Sequence, residues 1–299
     1  MPERDQRLVI FNADDFGLTA GVNAGIIGAH RRGPIRSASL MVTTPGFADA
    51  VALARRHPTL DLGVHLALTG VAPLLPPERV PSLAGRDGCF PPLMGWLPRV
   101  LGGRLRPAEV RAELGAQLER ALATGLPFSH LDGHHHVHLF PPVAPIVREL
   151  ARRHGIPAVR RVGRAPSGLW RTEGLPAAVK GWLLARAEAR AERATAGDAA
   201  GGEQGRPPCG TDAFRGYALP ATEAGWRRFV HALPPGVTEV MCHPGLHDEA
   251  VRGLDPYVEG REVELRRLGD PRLSQLLNET GVVVISFAEL AGARRGAAS

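Results

Sequence analysis

Short apolar runs alternate with amphipathic segments along most of the chain. Seven runs have the length and composition of strands, and they lie at 7–13, 35–44, 61–69, 128–133, 158–162, 237–242 and 282–286. Between them, apolar residues that recur every three or four positions predict helices at 20–32, 47–57, 107–124, 141–155, 176–194, 222–233, 259–268 and 271–279. In the helix at 107–124 the apolar residues share one face, so we expect Glu109, Glu113 and Glu119 to face solvent.

The strand–helix alternation predicts parallel strands with right-handed crossovers. We therefore expect an α/β fold in which residues 1–299 form a single, distorted (β/α) barrel of about seven parallel strands. The alternative is an open doubly wound sheet, which is weakened because no GxGxxG motif follows the first strand.

Two segments depart from this alternation. Residues 72–107 are rich in Pro and Gly, and they predict a long loop with two alternative roles. The loop is either a lid or wall over a binding site, or a segment packed on the exterior of the barrel. Residues around 195–211 are low in complexity and predict a mobile insertion.

Composition and charge narrow the class of protein. The chain has 44% hydrophobic and 22% charged residues, which is typical of a soluble globular protein. Its net charge is +6, but all 36 basic residues except Lys180 are arginines, and they are scattered among acidic residues. We therefore expect no nucleic-acid partner, whereas Arg-rich helices leave peripheral contact with an anionic membrane open.

The cysteines and the N-terminus predict a cellular location. The three cysteines contain no CxxC pair, and their odd number argues against a disulfide framework. We find no signal-peptide pattern and no apolar run long enough to span a bilayer. These features predict a cytoplasmic protein, and we further expect it to form a homodimer.

Polar side chains stand at the carboxyl ends of four predicted strands. They are the pair Asp14–Asp15, then His65, the cluster from Asp132 to His138, and His243. In a barrel these strand ends open into one mouth, where active sites are built. This joint placement is stronger support for an active site than any single residue.

One carboxylate and two imidazoles form a common ligand set for a divalent metal with open positions. Asp15, His65 and His134 would supply this set, and His138 could join or replace His134. Asp14 is then placed to accept a proton from water, and His243 to protonate a leaving group.

Simpler explanations exist for each of these residues. A histidine in a strand, such as His65, is more often a structural residue than a ligand. Asp14 could be only the cap of the following helix. The remaining histidines of the cluster could orient ligands rather than bind metal. The chain has neither a GxSxG elbow nor a phosphate-binding P-loop, which disfavours a serine hydrolase and a nucleotide-dependent enzyme.

Four motifs resemble the YdjC family of carbohydrate deacetylases, which includes chitooligosaccharide deacetylase. They are N-A-D-D-F-G at 12–17, G-V-H-L-A-L-T at 63–69, H-L-D-G-H-H-H-V-H at 130–138 and C-H-P-G at 242–245. The resemblance implies a seven-stranded (β/α) barrel and a divalent metal, magnesium or zinc, bound by Asp15, His65 and His134. It also implies that Asp14 is the general base. The chain departs from the chitooligosaccharide enzymes at Gly133, where they commonly have Ser.

The resemblance implies hydrolysis of an N-acetyl group on an N-acetylglucosamine-containing carbohydrate or glycolipid. In general character the chain resembles most the branch associated with hopanoid biosynthesis, which implies a lipid-linked substrate. Two alternatives are another metal-dependent hydrolase, such as a phosphoesterase, and a non-catalytic protein that binds carbohydrate or lipid.

Overall fold

A computed structural model describes residues 6–163, 175–196, 208–216, 219–220 and 222–296. Its centre is one parallel sheet. The strands are β1 (Arg7–Phe16), β2 (Ile35–Leu40), β3 (Asp61–Leu66), β4 (His130–Gly133), β5 (Ala158–Val159), β6 (Ala213–Arg215), β7 (Gly236–Cys242) and β8 (Val282–Val284). They run in the order β5-β4-β3-β2-β1-β7-β6, and β8 pairs with β1.

The sheet curls into a barrel-like form around β1. An isolated parallel bridge between Ala158 and Cys209 connects β5 to the chain that leads into β6. β8 pairs with β1 from Arg7 to Val9, and β2 pairs with it from Phe11 onward. The predicted α/β barrel class is therefore confirmed. β6 was not among the predicted strands, because three residues are too few to show an alternating pattern.

Helices surround the sheet. They are α1 (Ala20–Arg32), α2 (Phe47–Arg56), α3 (Leu93–Leu101), α4 (Pro107–Leu122), α5 (Val143–Arg153), α6 (Leu175–Ala196), α7 (Glu223–His231), α8 (Glu249–Leu254), α9 (Glu259–Leu268), α10 (Pro271–Glu279) and α11 (Phe287–Gly296). Two short 3₁₀ helices lie at Pro77–Arg79 and His134–Leu139. The bounds of α9 and α10 agree with the sequence prediction, and the other predicted helices agree within a few residues.

The segment 72–107 is packed on the body of the molecule rather than extended away from it. It contains α3, which the sequence did not predict, and Phe90 and Trp96 are buried.

The expectation that Glu113 faces solvent was wrong. Its carboxylate is buried and accepts hydrogen bonds from the backbone N–H groups of Leu74 and Leu75 at 2.8 and 3.0 Å. Glu113 therefore anchors the start of this segment to α4, because backbone donors that are shielded from water need acceptors.

The predicted insertion around 195–211 lies for the most part outside the described residues. Within the described part, Cys209 forms the bridge to β5 noted above. The three cysteines are free thiols. None of the helices in the described ranges is both long enough and apolar enough to cross a membrane.

Candidate active site

The two adjacent carboxylates are separated by a bulge at the end of β1. Ala13 pairs with Ala38 and Phe16 pairs with Leu40, so three steps along β1 face two steps along β2. Inside this bulge Asp15 has a φ of 66°. The left-handed region is rare for residues other than glycine, and such strain is concentrated at functional sites. The bulge interrupts the regular alternation of β1, and the two carboxylates contact different partners.

Asp15 meets two histidines from neighbouring parts of the sheet. Its Oδ1 atom lies 3.4 Å from Nε2 of His65, at the end of β3, and 3.0 Å from Nδ1 of His134, directly after β4. All three side chains are buried. The structure therefore brings together the three residues that the sequence selected as metal ligands, with both imidazoles at one carboxylate oxygen.

The other side of the His65 ring is held by a carboxylate. Nδ1 of His65 lies 2.8 Å from Oδ1 of Asp132, on β4. Burial by itself would lower the pKa of His65, but the carboxylates of Asp132 and Asp14 raise it to about 10. A carboxylate that fixes one ring nitrogen while the other points to a shared centre is the usual arrangement around a metal-binding histidine.

The second oxygen of Asp15 is occupied by an arginine. Nη2 of Arg261, on α9, donates to Oδ2 of Asp15 at 2.6 Å and also pairs with Asp255. Burial would raise the pKa of Asp15, but Arg261, followed by His134, holds it well below its usual value. Asp15 is therefore ionised, and only its Oδ1 atom is turned to the histidines.

Asp14 belongs to a separate network inside the barrel. Arg160, which follows β5, donates to both oxygens of Asp14 at 2.7 and 2.6 Å, and it lies 2.8 Å from Oδ2 of Asp132. Its Nε donates to Glu239 at 2.7 Å. Burial raises the pKa of Glu239 to about 8 in spite of Arg160, so this side chain is neutral near pH 7. Arg160 thus balances the negative charge of Asp14 and Asp132.

Two sets of side chains among the described residues have the spacing of a metal site. In each set the candidate ligand atoms lie within 4.8 Å of one another; the first is Asp15, His65 and His134, and the second is Asp14, His65 and Asp132. The guanidinium of Arg160 already lies between the carboxylates of the second set. The first set offers one oxygen and two imidazoles without a guanidinium between them, so it is the one that fits a metal ion.

The histidine-rich turn after β4 has an unusual backbone. His135 and His136 have φ values of 53° and 60°, so the 3₁₀ helix is kinked at these residues. His138 is buried, and burial lowers its pKa to about 3, which leaves the ring neutral. Of the two metal-like sets found in the described ranges, neither includes His138. This spacing favours His134 over His138 as the second histidine ligand, and the assignment stays a prediction.

His243 follows β7, the strand beside β1. Because Ala13 pairs with Cys242, His243 is level with Asp14 on the adjacent strand. Its backbone N–H donates to Oε2 of Glu264 at 2.5 Å, and its half-buried ring lies 5.7 Å from the ring of Tyr257. His243 is thus at the same end of the barrel as the aspartates, outside the three-residue cluster.

The structure also corrects one alternative and adds residues that the sequence did not single out. The N-cap of α1 is Thr19, whose hydroxyl accepts from the N–H of Val22, so Asp14 is not the cap of this helix. Arg160 and Arg261, which bind the two aspartates, were missed. Arg160 had a usable signal, since a charged residue follows directly on a buried strand.

Comparison with known proteins identifies close relatives over nearly the whole chain. The family model described as YdjC-like protein matches residues 8–279. A carbohydrate deacetylase of Brevibacillus brevis is 35% identical over 285 residues, which cover 94% of this chain and 99% of the relative. The carbohydrate deacetylase of Geobacillus stearothermophilus is 35% identical over 290 residues, 95% of this chain and 98% of that one.

A solved structure shows the same fold. It belongs to a protein of Enterococcus faecalis V583 described as a candidate cellobiose-phosphate cleavage protein. The two chains superpose with a TM-score of 0.75 at 25% identity, and the match covers 95% of this chain and 99% of the other.

Proposed function

The chain belongs to the family of YdjC-like proteins, and we propose that it is a metal-dependent carbohydrate deacetylase. It hydrolyses the N-acetyl group of an N-acetylglucosamine-containing carbohydrate or glycolipid. The name of the curated relatives supports the reaction class. The observation that carries the proposal is the convergence of His65 and His134 on one oxygen of Asp15.

Asp15, His65 and His134 would hold the metal, a divalent ion such as magnesium or zinc. A bound ion of this kind polarises a carbonyl group and lowers the pKa of water. The chain contributes the orientation of its ligands. Asp132 fixes the ring of His65, and Arg261 turns the second oxygen of Asp15 away from the histidines.

Asp14 is the proposed general base. Arg160 binds both of its oxygens, and Asn12 donates to Oδ1 at 2.8 Å, so the carboxylate is held in one orientation. A fixed carboxylate can accept the proton of the attacking water without a loss of entropy at that step. His243, level with Asp14 on the next strand, would donate a proton to the departing amine, and its partial exposure lets it regain one from solvent.

A lipid-linked substrate and a peripheral membrane contact are the finer parts of this proposal. Support comes from α6, where Trp182 and Leu183 are exposed and the guanidinium of Arg186 lies 4.7 Å from the Trp182 ring centre. Exposed tryptophan beside arginine is typical of helices that lie on a lipid surface. The cytoplasmic location and the homodimer stay predictions.

The proposal is tested by product analysis. Purified protein is offered chitobiose, N-acetylglucosamine and a lipid-linked N-acetylglucosaminyl acceptor, and released acetate is measured. We expect acetate from at least one of them. A phosphorylated disaccharide is offered in parallel, because the alternative function, a phosphoesterase, would release phosphate from it. Phosphate without acetate would overturn the proposal in favour of a phosphoesterase.

Metal dependence is tested with histidine variants. His65→Ala and His134→Ala should lose bound metal and activity together, whereas His231→Ala, at the exposed end of α7, should keep both. Metal content is measured by elemental analysis and folding by melting temperature. Full metal content in a folded His65→Ala or His134→Ala protein would contradict the ligand assignment. A protein that binds sugar but releases no acetate with or without metal would instead be non-catalytic.

A further inference from the structure

An exposed aromatic ring lies directly beside the proposed acid. Tyr257, in the loop between α8 and α9, is 43% exposed although it is a large, largely apolar side chain. Its ring centre lies 5.7 Å from that of His243, and the two planes meet at 69°. An exposed aromatic side chain beside a proposed catalytic group is a candidate ligand contact, because exposing an apolar ring to water is unfavourable and a bound ligand would cover it.

The ring of Tyr257 is fixed in place by its hydroxyl group. The O–H of Tyr257 donates to Oε1 of Glu264 at 2.7 Å, and the other oxygen of the same carboxylate accepts from the backbone N–H of His243. Glu264 is buried, so this pairing is shielded from water. One carboxylate therefore sets the position of the aromatic ring relative to the backbone of the proposed acid.

The backbone of α9 supports the ring from another side. A Cβ atom built on Gly260 would lie 2.2 Å from Cζ of Tyr257, a distance that real atoms do not reach. Gly260 thus lets the first turn of α9 pack directly against the ring. The hydroxyl is already used by Glu264, and the guanidinium of Arg261 lies 6.0 Å from the ring centre, so the part of Tyr257 left for a ligand is the exposed remainder of the apolar ring surface.

We propose that Tyr257 is a binding platform for a sugar ring next to His243. This inference rests on the proposed function, and it adds a residue that binds the carbohydrate rather than the acetyl group. The C–H groups on one face of a pyranose ring form an apolar surface that packs on an aromatic ring. A rigid platform loses little entropy on binding and places the sugar nitrogen near the proton donor.

The test compares four variants for binding of chitobiose to chelator-treated protein by calorimetry, so that no turnover occurs. Tyr257→Ala removes the platform and should weaken binding about tenfold. Gly260→Ala keeps the aromatic ring but displaces it, and it should cause a similar loss. Tyr257→Phe keeps the ring without its hydroxyl, and it should bind more strongly than Tyr257→Ala.

Val283→Ala is the matched control. Val283 has the same exposed fraction, 43%, but it lies on β8, which pairs with the first residues of β1. It is thus at the opposite end of the strand from Asp14, and its replacement should leave chitobiose binding unchanged. In metal-loaded protein, the same variants should change KM for acetate release more than kcat.

The possible outcomes separate this inference from the proposed function. Acetate release with equal chitobiose binding by wild type and Tyr257→Ala overturns the platform and leaves the deacetylase assignment intact. Binding that depends on Tyr257 without acetate release supports the platform and contradicts the reaction. Absence of chitobiose binding by wild type overturns the platform. If Tyr257→Ala does not fold, the chitobiose affinities of Gly260→Ala and Val283→Ala are compared instead. Equal affinities would overturn the platform.

Discussion

Asp14 and Asp15 are neighbours in the chain, yet they belong to two differently built halves of the site. In the barrel half, Arg160 is bound by three carboxyl groups, the carboxylates of Asp14 and Asp132 and the neutral side chain of Glu239. In the helix half, Arg261 is bound by Asp15 and Asp255. Both arginines are buried, but the first reaches the site from a strand end and the second from α9.

The two halves differ in which carboxylate oxygens are bound by an arginine. Arg160 takes both oxygens of Asp14, whereas Arg261 takes only Oδ2 of Asp15. The other oxygen of Asp15, Oδ1, has no arginine partner and faces His65 and His134. Identical side chains at adjacent positions thus acquire different chemistry because the bulge in β1 gives them different partners. In the proposed function, Asp15 binds the metal and Asp14 is the fixed proton acceptor.

The difference between Asp14 and Asp15 is tested most directly by neutralising each aspartate in turn. Asp15→Asn should abolish metal binding, because a neutral amide is a poor ligand for a divalent ion beside two histidines. Asp14→Asn should retain metal but lower turnover by about 10²–10⁴-fold, the usual loss when a general base is removed. Elemental analysis and acetate release are measured on both proteins.

Melting temperature is the control for both variants, since each substitution also changes a buried ion pair. Loss of metal from a folded Asp14→Asn protein would show that Asp14 also takes part in metal binding. Undiminished turnover by Asp14→Asn would remove Asp14 as the base.

The next largest effect concerns the two arginines. Arg160→Gln should destabilise the fold by about 3–5 kcal/mol, because it leaves Asp14 and Asp132 as buried charges without a partner. Arg261→Gln should cost less, since Arg261 binds two carboxyl groups and Arg160 binds three. The free energy of unfolding is measured by urea denaturation of both variants and wild type at the same pH. Equal losses would show that the number of carboxyl groups around each arginine does not decide its contribution to stability.

The sequence predicts the residues at the strand ends better than it predicts those on α9. Asp14, Asp15, His65 and His134 stand at the ends of apolar runs, so the period of the strands shows that they share one end of the sheet. Arg261 and Glu264 stand in α9, whose sequence E-G-R-E-V-E-L-R-R-L reads as a solvated helix. Their burial depends on how α9 packs against the loop after β7, which no local pattern shows.

The same limit applies to Glu113 and α3. A glutamate on a helix is normally solvated, and only the fold shows that the backbone of Leu74 and Leu75 meets its carboxylate. The strands and most helices were predictable because their apolar periods are long and regular. Three-residue β6 and α3, with Pro98 inside it, have no such period.

The smallest effect is expected for Ser39, which lies in the barrel half between the carboxylate that holds His65 and the amide that holds Asp14. Its hydroxyl donates to Oδ2 of Asp132, the residue that orients His65, and accepts from Asn12, which also binds Asp14; both distances are 2.8 Å. Ser39→Ala should cost about 1–2 kcal/mol of stability, because a buried donor loses its acceptor. It should also lower turnover by about tenfold at most, since Asp132 and Asn12 both keep other partners.

Ser37→Ala is the matched control for this effect. Ser37 is buried two residues earlier on the same strand, and its hydroxyl donates at 3.1 Å to Asp61, at the other end of β3 from His65. Its replacement should cost a similar free energy of unfolding and leave turnover unchanged. Urea denaturation and acetate release are compared for the two variants. If Ser37→Ala lowers turnover as much as Ser39→Ala, the loss follows from the stability of β2, and Ser39 does not couple the metal ligand to the base.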